Sequence, residues 1–188
     1  MEQIGNKINN LPNLSSIDFQ IPELATFDKL NIINNKTLDV SFEGVPVKIK
    51  IIGGSYFKEA NLHRVDVLIR ISTKTLENIA KINIHMEENQ DKTYKAGTYV
   101  INKNRELKNL GRTLWEISLK LIQKSANKWN ASITHEVFRM PLMHLSEDKW
   151  NKLFFPLLEK HGYRYVKNSD EGSLWDEKWE KTYFPDKK

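Results

Sequence analysis

Apolar residues change their spacing once along this chain of 188 residues, and that change constrains the fold more than any other feature. From Thr37 to Ile101 they recur mostly at every second position, the pattern of strands with one buried face. "TLDVSF" and "VPVKIKII" flank Glu43-Gly44, a hairpin signature. "RVDVLIRIS" places Val65, Val67, Ile69 and Ile71 on one face. "NIAKINIHME" does the same with Ile82, Ile84 and Met86, although Thr75 to Ala80 also suits the start of a helical turn. "TYKAGTYVI" is a further strand ending near Ile101. An antiparallel meander is expected. Ahead of it, Pro22 interrupts "IDFQIPELATFDKLNII", in which Glu23 to Ile33 is compatible with a short helix. Residues 1–16 read as a loose, flexible tail before a single domain of residues 17–188.

After the polar link "NKNRE" the period lengthens. Leu110, Leu114, Ile117 and Leu121 fall at helical spacing, and Trp115, Leu119 and Ile122 widen the stripe, so a helix to near Lys128 is expected. "ASITHEVF" follows as a short buried strand. Ser146, with Glu147 and Asp148 behind it, suits the cap of a second helix from Glu147 to His161. Pro156 should bend that helix or make it irregular, and Gly162 stops it. "YRYV" and "KWEKTYF" read as a closing hairpin. Both strand–helix–strand steps imply parallel neighbours joined by right-handed crossovers. The expected fold is α+β: a mixed, mostly antiparallel sheet of about seven strands with two main helices.

Composition excludes several classes. Hydrophobic residues make up 39% and charged residues 28%, the balance of a globular domain rather than a disordered chain. No apolar run is long enough to span a membrane, and the Asn-rich start lacks the apolar stretch of a secretory signal. The absence of cysteine removes disulfides and thiolate metal sites and fits a reducing compartment, so a cytoplasmic protein is expected. Net charge is +5, and all of it lies between Asn102 and Lys128, where seven basic residues face two acidic ones. A positive potential this local suits a compact anionic ligand and counts against a long nucleic acid. A solvated helix face would carry the same charge.

The link and the basic helix resemble the GNAT acyltransferase family. There a strand ends in a loop of pattern Arg/Gln-x-x-Gly-x-Gly/Ala, and the helix that follows holds the pyrophosphate of acetyl-CoA on free N–H groups. In "ELKNLGRTL", Gly111 matches the last glycine and Asn109 the earlier one, a residue that tolerates a left-handed backbone. Glu106 departs from the Arg/Gln position, leaving the charge to Arg105 or Lys108. A register two residues later would place Lys108, Gly111 and Thr113 on the motif. The family's later pattern, Asn-x-x-Ala-x-x-Leu-Tyr-x-x-x-Gly-Phe, resembles "NKLFFPLLEKHGY" at Asn151, Leu157, Gly162 and Tyr163. Its tyrosine, which often protonates the departing thiolate, is Leu158 here. The family's N-terminal helix pair is not visible between Ile17 and Ile71.

The resemblance implies acetyl-CoA as co-substrate, held by Val100, Ile101, Lys108, Asn109, Leu110, Gly111, Arg112, Thr113 and Asn151. It implies transfer of the acetyl group to an amine on a small molecule or peptide. His135 and Glu136, on the strand after the basic helix, are the acid/base candidates. A satisfied core histidine beside a surface glutamate is the other reading of that pair. His63, His85, His144 and His161 lack metal-ligand spacing and read as structural or exposed. The alternative to an enzyme is a non-catalytic module of similar fold, using the basic helix to hold a nucleotide, RNA or an acidic partner.

Overall fold

The structure, a computed structural model, describes residues 10–103, 107–139, 150–167 and 177–187. It is an α+β fold built on one open, mostly antiparallel sheet. The described strands are β1 (Asn31–Phe42), β2 (Val45–Phe57), β3 (His63–Ser72), β4 (Ala80–Glu88), β5 (Tyr94–Asn102), β6 (Ile133–Arg139), β7 (Arg164–Lys167) and β8 (Glu177–Tyr183). Their order across the sheet is β1-β2-β3-β4-β5-β6-β8-β7. Helix α1 (Leu110–Trp129) joins β5 to β6. A π turn (Trp150–Phe154) leads into α2 (Phe155–Lys160).

The period-two segments form the meander β1 to β5. Glu43 and Gly44 both take positive φ, 47° and 81°, the two-residue turn whose twist suits a hairpin. The β1–β2 hairpin is longer than its apolar alternation suggests. It continues past a bulge between Ile33 and Lys36 into residues that keep little of that alternation. No helix forms from Glu23 to Ile33. Phe19 and Ile21 are buried two residues apart, an extended period, and β1 claims the chain from Asn31. This extended segment straps the buried face of the sheet. Ser55 Oγ donates to the Glu23 carbonyl, and Trp129 Nε1 donates to that of Pro22 at 3.2 Å. Leu14, expected in the tail, is fully buried in the core. Residues 73–79 form bends rather than a helical turn, with Leu76 N–H donating to Thr73 Oγ1 at 3.1 Å.

Helix α1 packs Leu110, Leu114, Ile117, Leu121 and Ile122 against Ile82, Ile84 and Met86. Burying each such side chain contributes roughly 1.5–3 kcal/mol, which makes this helix–sheet interface the centre of the core. Asn130 ends the helix in the left-handed region, and Ala131 N–H closes onto the Ala126 carbonyl. The first crossover gives the expected parallel pair, β5 with β6. The second does not: β8 inserts beside β6, antiparallel, and β7 lies outside it at the edge. Proline explains the irregular second helix. Pro156 has no N–H to continue an i→i−4 ladder, and regular α-helix begins only at Phe155. The expected cap at Ser146 falls outside the described residues.

Candidate functional site

Strand β5 is held unequally by its two neighbours. It pairs with β4 from Tyr94↔Glu88 to Asn102↔Ala80. Its pairing with β6 begins at Tyr94↔Ile133 and stops at Gly97↔Glu136. Strand β6 is meanwhile pinned on its far side by β8 along Ile133 to Arg139. With both strands fixed from outside, the sheet parts between Thr98 and Val137. The gap opens into a cleft of about 1250 Å³, larger than most small-molecule sites, which run to roughly 1,000 Å³.

Three zones of different chemistry line this cleft. At the helix side lie Asn109, Gly111, Arg112 and Lys160. Asn109 sits at φ 63° without capping α1 through its side chain. Thr113 N–H reaches the Asn109 carbonyl, but no group among the described residues accepts from the N–H of Gly111 or Arg112. Two N–H groups and the positive end of a 20-residue helix therefore face the cleft. The middle is apolar, walled by Val100, Trp115, Val137, Phe154 and Leu157. The rings of Trp115 and Phe154 lie 5.8 Å apart, tilted by 57°, and join α1 to the π turn ahead of α2. The far mouth opens on the opposite face of the sheet, where His85, Glu87, Lys95 and Glu136 lie. No described helix packs on that face.

Strand alternation separates the two acid/base candidates. His135 pairs with Ala96 and points to the helix side, where it is fully buried and does not line the cleft. Its Nε2 meets Thr98 Oγ1 at 3.1 Å and its Nδ1 meets Tyr163 Oη, which lies 3.2 Å from Tyr183 Oη. Burial pushes the imidazole down to about 3, with His85 adding a smaller push, so the ring is neutral. Desolvation likewise raises the Tyr163 phenol. His135 is thus the satisfied core histidine, not a group that meets a substrate. Glu136 points the other way and lines the cleft, with Oε1 accepting from Lys178 Nζ at 3.1 Å and forming a looser ion pair with Lys95 Nζ at 3.9 Å.

Of the residues expected to hold a cofactor, Val100, Asn109, Gly111 and Arg112 line the cleft. Ile101 points to the other face of β5, and Leu110 is buried beneath the helix. Lys108, Thr113 and Asn151 stand outside the lining. The strained turn lies at Asn109 rather than Gly111. A Cβ at Gly111 would meet only Asn102 Cβ, at 3.6 Å. Sequence reasoning missed His85, Trp115 and Lys160 as lining residues. The polar face of β4 offered His85, but its place in the cleft follows from the register with Gly97.

Among the described residues no helix is long and apolar enough to cross a membrane. Comparisons with protein-family models, curated proteins and solved structures return no match.

Proposed function

We propose that this protein is an acyl-CoA-dependent N-acyltransferase of the GNAT kind, moving an acetyl group from acetyl-CoA to an amine. The observation that carries the reading is the cleft through the sheet, with anion-binding groups at one mouth and an imidazole and carboxylates at the other. The N–H groups of Gly111 and Arg112, with the Arg112 and Lys160 cations nearby, offer a pyrophosphate both hydrogen bonds and charge. Below them Val100, Val137, Phe154 and Leu157 supply an apolar channel for a pantetheine arm. Beyond Gly97, β5 has no strand partner on its β6 side among the described residues, so its backbone can pair with the amides of that arm as a further strand would. The thioester then reaches the level where the sheet opens, and the amine approaches from the opposite face. Attack there is assisted chiefly by positioning of the two reactants.

A second reading, a module that holds CoA without transferring its acyl group, is favoured by Leu158. At the slot where the resemblance expects a tyrosine acid, this side chain is fully buried and apolar.

Calorimetric titration with CoA tests the binding half of the proposal. Saturable binding is expected, weakened at least about tenfold, or 1.4 kcal/mol, in Gly111→Val. That variant should fold, because Gly111 has helical space for a side chain that projects into the cleft. Unchanged affinity in folded Gly111→Val, or no binding to the wild type, contradicts the proposal.

A further inference from the structure

We propose that His85 is the catalytic base, taking the proton from a primary amine that enters the cleft from the helix-free face. The inference rests on reading the cleft as an acyl-thioester site. Its grounds are position, support and free acceptor capacity.

His85 stands opposite Gly97 in the β4–β5 register, and Gly97 is the last residue of β5 to pair with β6. The imidazole therefore sits where the sheet begins to part. It lies on the β5 backbone itself: a Cβ at Gly97 would overlap Cε1 and Nε2 of the ring. Glycine at this point gives the ring a flat seat beside the gap.

Of the other described histidines, His63 and His135 are engaged, and His161 lies outside the cleft lining. His63 meets Glu88 through Nδ1 at 2.8 Å and the Ala25 carbonyl through Nε2 at 3.2 Å. Both nitrogens of His135 are occupied. His161 packs edge-on against Trp115 with Nε2 3.9 Å from Glu116 and unpartnered, but it does not line the cleft and cannot meet a substrate there. No group among the described residues hydrogen-bonds to the ring of His85, although it faces charge on every side. Asp66 and Arg64 lie across on β3, Glu87 on β4, Lys95 on β5 and Glu136 on β6. The carboxylates in that set already have partners. Asp66 takes Arg64 and the Tyr56 hydroxyl, Glu87 takes Lys58 and Arg64, and Glu136 takes Lys178 and Lys95. Desolvation by the cleft walls, then Arg64, holds the imidazole below its ordinary value. At neutral pH the ring keeps a lone pair.

The step balances without another reagent. The amine nitrogen forms a bond to the thioester carbonyl carbon, and the carbon–sulfur bond breaks with its electron pair leaving on sulfur. The proton shed by nitrogen passes to His85 and from the imidazolium to the thiolate. Acyl thioester and amine become amide and thiol.

Thiol release from acetyl-CoA, with spermidine and a lysine-containing peptide as acceptor probes, tests the assignment between pH 5 and 9. The wild type should lose kcat/KM on the acid side more steeply than the acceptor amine's own protonation accounts for, because one enzyme group protonates as well. His85→Gln should keep only the amine's share of that limb and turn over about 10²-fold or more slowly, with CoA affinity within about threefold of wild type. Gly97→Ala, which unseats the ring while keeping it, should slow turnover in the same direction. Equal turnover in His85→Gln, or an acid limb as steep as that of the wild type, overturns the inference. CoA binding with no acylation of either probe also overturns it, since no amine then yields its proton there. Failure of the wild type to bind CoA instead removes the acyltransferase reading beneath it.

Discussion

The two neighbours of β5 differ in one respect that decides what the molecule can do. Toward β4 the pairing runs the full strand and the facing side chains are buried: Ile82, Ile84 and Met86 have no exposed surface. Toward β6 the pairing ends at Gly97↔Glu136, and the residues beyond it line a cleft. The same strand is a structural wall on one side and an open edge on the other. A sheet can host a site in its interior without a hole in its core, provided that the parting strands are held from outside. Here β4 and β8 hold them.

The largest effect that would sharpen this contrast is a pair of truncations. Ile84→Ala leaves a void under α1 and should cost about 2–5 kcal/mol in urea unfolding. Val137→Ala removes methyl groups that face the cleft and leaves no closed cavity, so about 1 kcal/mol or less is expected. Equal costs would mean that the β5–β6 gap is packed like the rest of the sheet.

Next comes the buried chain of His135, Tyr163 and Tyr183, which ties the paired part of β6 to the end of α2 and to β8. The imidazole titrates near 3 when folded and near 6.5 as the ordinary value. Between those limits the unfolded chain binds a proton that the folded chain does not. Stability should thus be highest above about pH 6.5 and fall by up to about 1.4 kcal/mol per unit as pH drops through the window. The Glu88 carboxyl, held below its usual range by hydrogen bonds from His63 and Lys92 against its desolvation, adds a loss at lower pH that variants of His135 share. His135→Gln should therefore flatten the slope between pH 7 and 5. A slope identical to wild type would show that the ring is solvated. Tyr163→Phe should cost about 1–3 kcal/mol by leaving buried partners unpaired.

The smallest effect concerns the start of α1. Asn109 at φ 63° should tolerate Gly, whereas Asn109→Ala should lose about 1 kcal/mol in thermal unfolding. Equal stability of the two variants would remove the left-handed turn.

The paired part of this sheet was legible in the sequence because its information is local. Alternation in "RVDVLIRIS" and "NIAKINIHME" marks both the strands and their buried faces, and Glu43-Gly44 marks the first turn. The stripe from Leu110 to Leu121 marks the helix, and Asn109 with Gly111 marks its unusual start. The open part was not legible, because it depends on where pairing stops. Nothing in "TYKAGTYVI" or "SITHEVF" says that the two strands separate after Gly97 and Glu136, and no spacing places His85 over Gly97. The insertion of β8 beside β6 is equally non-local. The extended strap from Leu14 to Ala25 escaped because its burial is set by the sheet it crosses, with Pro22 and the two-residue spacing of Phe19 and Ile21 as local signs against a helix.

One measurement bears most directly on the claim that the open side of β5 is a ligand site. Amide NMR shifts of the ¹⁵N-labelled protein, titrated with CoA, should move saturably at Asn109 to Thr113 and at Thr98 to Val100, while those of β2 and β3 stay still. Saturation without movement at either segment, or the absence of any saturable shift, would contradict the account.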